Sequence, residues 1–192
     1  MLAGKEQPGS PRVALGVKVL RALPDRHTCN FLLDWYYEKN TDSRSYKLSI
    51  MAIANSLWTT FGRHLKERRT EDLEELSQIM CRNGETALEE SEDYEKWLVA
   101  ISGVNTRWES LGSIFGALTS ALLSLPERDA FFATQRGDRN DRKFFAVEMK
   151  DCTQACITLS NYMDLLNILM VAVLSRNLIA QTVISGDTSK TL

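Results

Sequence analysis

The side chains of this chain that could do chemistry are four cysteines, two histidines and a few clustered acids, and their spacing argues against most of it. Thiolate-held zinc needs close cysteine pairs of the C-x2-C kind, because the ligands must converge on one ion. Cys29, Cys81, Cys152 and Cys156 contain no such pair. Cys152 and Cys156 share the apolar stripe of one predicted helix, where a free thiol is simply a small core residue. His27 and His64 are the available imidazole bases, and neither stands near a glycine-framed serine. His27 falls in the first turn of a predicted helix beside Arg26. His64 falls in the last turn of another, where a partly charged ring suits the helix dipole. Phosphate-cradling glycine patterns are absent. The expectation is a chain that is not an enzyme, with no catalytic, metal or cofactor site of its own.

The strongest enzymatic rival is a magnesium site of the terpene-cyclase kind, also all-α, built from D-D-x-x-D and N-D-x-x-S-x-x-x-E. Glu71, Asp72, Glu74 and Glu75 loosely imitate the first pattern, and Asn140, Asp141 and Glu148 imitate the second. Phe144 stands where the second requires a hydroxyl, and a phenyl ring cannot coordinate a hard cation. The acids at 71–75 are also what any exposed helix start carries to match its dipole.

Three other features bear on binding. The run from Arg63 to Arg69 is the basic cluster of the chain, and at a helix C-terminus followed by acids it reads as a solvated, dipole-matched end. Its rival reading is phosphate contact or a localisation signal. The aromatics Phe31, Trp35, Tyr36, Tyr37, Trp58 and Trp97 are spaced as core residues, with Trp35 and Trp58 kept as candidates for a pocket or partner groove. Arg176 is the basic residue of the most apolar predicted helix. Burial there demands a carboxylate, Glu109 or Glu148; facing a cavity instead, it would anchor an acidic effector.

The elements that must hold these residues are helices. From Arg107 to Phe132, apolar residues at Leu111, Ile114, Phe115, Leu118, Leu122 and Leu125 follow helical spacing, with Gly112, Gly116, Ala117, Ser120 and Ala121 between them. A helix apolar on one side and small on the other offers water little, so it should be enclosed by neighbours, with Pro126 ending it. Leu23-Pro24 is expected to open the first helix, with Cys29, Leu32, Leu33 and Tyr36 on one face. Thr41-Asp42-Ser43 breaks the pattern before a helix over about residues 46–65. A surface helix begins with Thr70 as N-cap and carries Leu73, Leu76, Met80 and Ala87 as a narrow stripe. A short apolar element over Tyr94 to Ile101 leads to a turn at Ser102-Gly103. Phe145, Met149, Cys152, Cys156, Leu159 and Met163 mark another helical face. The last helix, over about residues 164–184, is apolar nearly all round and should be central. Strand alternation is absent, and the expectation is an all-α, irregular bundle of about six or seven helices.

The segment W-E-x-L-G-x-x-F followed by S-L-P-x-x-D-x-x-F resembles the middle homology region of fungal zinc-cluster transcription factors. The matching positions are Trp108, Glu109, Leu111, Gly112, Phe115, Ser124, Leu125, Pro126, Asp129 and Phe132. Leu20–Tyr37, Phe144–Asp164 and Ser175–Ser189 are similar to that region's flanking helices, so the resemblance covers about 170 residues. It implies a regulatory domain that modulates RNA polymerase II transcription by sensing an effector or partner, and a nuclear location. The first dozen residues are rich in Gly, Pro, Ser and Lys, so a poorly ordered start is expected over residues 1–19. Residues 20–192 are expected to form the helical domain, which the resemblance makes shortened at its C-terminus relative to the family. The family's six-cysteine zinc cluster is absent. The alternative is a helical interaction scaffold or shortened product with no activity of its own.

Composition agrees with this class. At 192 residues with 44% hydrophobic content, the chain is long enough for one domain with a substantial core. A net charge of −2 gives no general attraction to nucleic acid, so no direct DNA contact is expected. The start lacks a signal-peptide pattern, which points to an intracellular, reducing setting. The most apolar window contains Asn167, Arg176, Asn177 and Gln181, favouring a core helix over a membrane span. Expected partners are a small-molecule effector, a transcriptional partner protein or a second copy.

Overall fold

The computed structural model describes residues 10–39, 44–89, 91–161 and 167–188. Among these the protein is all-α, with nine α-helices and two short 3-10 turns. The helices are α1 (Pro11–Ala22), α2 (Arg26–Lys39), α3 (Arg44–Glu67), α4 (Thr70–Gly84), α5 (Tyr94–Ala100), α6 (Trp108–Ser124), α7 (Ala130–Ala133), α8 (Arg142–Asn161) and α9 (Ile168–Thr188).

α6 is the axis of the molecule, buried along almost its whole length as its sequence demands. Its glycines are why neighbours come so close. A Cβ on Gly112 would stand 3.1 Å from both Cys156 of α8 and Val173 of α9, so the small side of α6 is where those two helices pack. α2, α3 and α4 cover the rest of α6, and α1 lies across α4 and α8. Trp108 starts α6 fully buried and donates its indole N–H to Cys81 Sγ of α4 at 3.4 Å. Leu125 follows α6 in extended conformation, as expected of a residue before Pro126. Asp129 then caps α7 by accepting the Phe131 amide at 2.9 Å.

Four expectations are corrected. Residues 11–19 belong to α1, where Ser10 accepts the Val13 amide and Pro11 takes the first turn. Val13, Val17, Val19 and Leu20 of α1 are buried, and Gly16 lets the helix sit directly on Trp108. Repetition of apolar residues four and three apart outweighs the Gly-Pro-Ser composition of the first dozen residues. Pro24 opens no helix; it precedes Asp25, whose carboxylate caps α2 through the Thr28 amide at 2.9 Å. Thr70 is the first residue of α4, preceded by Arg69 as N-cap.

The fourth correction concerns α9, which is not central. Leu169, Met170, Val173, Asn177 and Ala180 face inward, while Ile168, Val171, Leu174, Leu178, Ile179 and Val183 are exposed. An all-apolar helix needs cover on every side, and α6 and α8 cover one. By length and composition Ile168–Gly186 could also cross a membrane. The expected break at residues 41–43 and the stripe position Met163 lie outside the described residues.

Candidate functional site

A buried polar junction sets the position of α9. Arg107 and Glu109, both 3% exposed, face each other with nitrogen and oxygen 3.6 Å apart. Arg107 also donates to the carbonyls of Thr86 at 2.8 Å and Gly84 at 3.4 Å, holding the end of α4. Glu109 Oε1 accepts the side-chain amide of Asn167 at 2.9 Å, and Asn167 Oδ1 accepts the Met170 amide at 2.9 Å. One side chain thus caps α9 and ties that cap to α6. Further along, Asn177 donates to Gln154 of α8 at 2.7 Å.

Against this junction lies a groove of about 920 Å³ between the α4–α5 connection and the start of α9. Its apolar wall includes Leu88, Tyr94, Trp97, Ile168 and Ala172, and Glu89 and Glu92 line it too. It opens at the Ile168 end of the exposed α9 stripe. The stripe itself carries no charged side chain, because Arg176 turns aside and lays its aliphatic stem near Gly116.

Among the described residues neither expected carboxylate forms an ion pair with Arg176. Glu109 is held by Arg107 and Asn167, and Glu148 by Arg139 at 2.7 Å. Of the other candidates, Trp35 packs partly buried against the core, and Trp58 walls a cleft on another part of the molecule. The aromatic set does not converge: Phe31 stacks on Phe131 with centroids 4.8 Å apart, and Tyr37 is buried. The family-pattern residues Trp108, Glu109, Gly112, Phe115, Pro126 and Asp129 have packing, pairing or capping roles. Sequence reasoning missed Asn167 and Arg107 as the pair that frames Glu109, although an Asn before an apolar helix is itself an N-cap signal.

Of the acids that imitate magnesium ligands, Asp72, Asp141 and Glu148 are committed to other partners. Asp72 accepts two hydrogen bonds from Arg69, which hold its carboxyl below the ordinary range. Asp141 accepts the amides of Lys143 and Phe144 at the start of α8. Among the described residues no three His, Cys, Asp or Glu side chains converge to hold a metal. The four cysteines are buried and form no disulfide, and burial pushes the Cys29 and Cys152 thiols up to about 12 and Cys156 well above the usual value.

No protein-family model matches the chain, and no curated protein and no solved structure matches it significantly.

Proposed function

We propose that this chain is a regulatory domain of the fungal zinc-cluster transcription-factor type, acting in the nucleus through protein contact and without a DNA-binding cluster of its own. The observation that carries the contact is the α9 stripe, where Ile168, Val171, Leu174, Leu178, Ile179 and Val183 face solvent beside an apolar groove. Exposed apolar surface of this kind marks interaction sites. The stripe is free of charge along its length, so a second copy, presenting the same stripe across a two-fold axis, satisfies it without leaving any charge buried. The regulatory assignment is supported by the Trp108–Phe132 pattern and its flanking segments, which resemble the family's middle region.

In this mechanism an effector or partner favours one packing of α9 by its differential affinity, and that packing sets transcriptional output. The experiment tethers the full chain to a heterologous DNA-binding module upstream of a reporter. Output should change several-fold relative to the module alone, and the change should disappear with L178E/I179E. Light scattering should show a dimer that the same substitutions convert to a monomer. A dimer with no effect on the reporter would favour the second reading, an interaction scaffold, which the same exposed stripe also suits. A chain that partitions onto lipid vesicles instead would make α9 a membrane element.

A further inference from the structure

The chain carries 23 basic and 25 acidic side chains, yet the Lys, Arg, Asp and Glu residues lining one cleft are five cations and a single acid. It has a volume of about 1,100 Å³ and is formed by three segments far apart in sequence: the start of α2, the end of α3, and the residues after α7. Arg26, Lys66, Arg68 and Arg136 line it over a floor that includes Trp58 and Leu65, and Asp25 is the acid among the lining residues.

The cations are not consumed by ion pairs. Arg26, Lys66 and Arg136 are exposed, and none of them makes a side-chain hydrogen bond or ion pair with the described residues. Arg68 is held differently. Its backbone is left-handed at φ 53°, a conformation that costs a non-glycine residue energy and persists only where the surroundings enforce it. The enforcement is visible: its guanidinium donates to the carbonyls of Arg21 at 2.8 Å, Leu23 at 2.6 Å and Leu65 at 3.1 Å. Arg68 is therefore a fixed positive charge bonded to carbonyl oxygens and to no carboxylate. Arg139, also at the cleft, is by contrast neutralised by Glu148.

Asp25 offsets one of these charges at most, and its carboxylate is turned into α2, accepting the Thr28 amide at 2.9 Å and the Thr28 hydroxyl at 3.2 Å. A concave site of one sign focuses the field and attracts counter-ions of the other. Arginine forks match phosphate oxygens two at a time. The cleft's volume of about 1,100 Å³ suits a compact molecule, which a rigid duplex is not.

We propose that this cleft binds a small molecule carrying two or more phosphate groups. The proposal uses none of the residues of the α9 stripe and goes beyond the regulatory role.

The test titrates the full chain with sodium tripolyphosphate by calorimetry at about 0.15 M ionic strength, where unspecific surface attraction is largely screened. One saturable site is expected. K66E/R136E, at two exposed positions without partners, should weaken it at least about tenfold while leaving the melting temperature near that of the parent. D25N should tighten it several-fold, because asparagine keeps the cap of α2 while removing the acid. No saturation up to about 10 mM, or equal affinity in K66E/R136E, would overturn the proposal, since a site of several phosphate contacts must respond to losing two cations. Duplex DNA binding more tightly than tripolyphosphate, with the same dependence on Lys66 and Arg136, would overturn it too, in favour of a nucleic-acid surface.

Discussion

Asn167 and Glu109 lie 58 positions apart, and the amide of the first donates to the carboxylate of the second at 2.9 Å inside the protein. With Arg107 on the other side of that carboxylate, the junction decides where α9 begins and how it leaves α6. Removing the acid strands a buried guanidinium. Glu109→Ala should cost about 3 kcal/mol of unfolding free energy, in the range for breaking a buried pair. Asn167→Ala should cost about 1 kcal/mol, as for a lost N-cap. Urea unfolding of both single variants and the double variant checks this. The double should cost less than the sum, because the two share one interaction. A loss under about 0.5 kcal/mol for Glu109→Ala would place the pair among surface-like contacts.

Of the described glycines, Gly16 has its neighbours nearest to where a Cβ would stand. A Cβ there would collide with Ser77 Oγ and stand 2.6 Å from Trp108 Cη2, and both atoms belong to fully buried side chains. Gly16→Ala should therefore destabilise by about 2 kcal/mol despite the better helix propensity of alanine. Gly186 has open space around its Cβ position, and alanine there should be neutral or slightly stabilising. Thermal unfolding of the two variants should shift in opposite directions or leave Gly186→Ala unmoved. Equal shifts would mean that α1 is not seated on Trp108.

All four thiols should resist modification while the chain is folded. Cys29, Cys81 and Cys156 are fully buried and Cys152 nearly so, and burial holds Cys29 and Cys152 at about 12, far from thiolate at neutral pH. Ellman's reagent at pH 8 should react with none of them quickly in the native state and with all four in denaturant. A rapid native-state phase of one thiol would mean that the α8 face around Cys152 opens.

Asp25 links acid stability to the cap of α2. Burial raises its carboxyl, but the hydrogen bonds from Thr28 and the proximity of His27 more than offset this, leaving it below the ordinary range. A depressed folded value means that the carboxylate stabilises the fold above the unfolded value, near 3.9, and that this is lost as pH falls through the folded value. Asp25→Ala should cost about 1 kcal/mol at pH 7, and the difference from the parent should shrink in strong acid, where only the neutral carboxyl's weaker cap remains. Melting curves of both chains between pH 7 and about pH 2 test the sign. A difference of undiminished size at the acid end would place the effect in the neutral cap or packing, not in the charge.

Along the chain, what the sequence announced it announced through periodicity. The α6 stripe with its small opposite side, and the α8 stripe through Cys152 and Cys156, are legible because burial on a helix face repeats every three to four residues. The stop at Pro126 follows from a missing donor. α1 was hidden by the Gly, Pro and Ser around it, although its apolar positions carry the same periodicity. The N-caps Asp25 and Asn167 were open to the same kind of reading, since a short polar side chain before an apolar run is the signal.

What no stretch of sequence contains is which distant residues meet. Arg107, Glu109 and Asn167 form one junction only because α4, α6 and α9 converge, and that convergence commits Glu109, one expected partner of Arg176, to other residues. The cationic cleft likewise brings together Arg26, Lys66 and Arg136 from three segments far apart in the sequence. The apolar composition of α9 was plain, but the side of it left facing solvent was decided by how much of it α6 and α8 could cover. Local spacing determines which face of a helix is apolar; only the packed structure determines whether that face is filled, because burial is a property of neighbours that the helix does not itself encode.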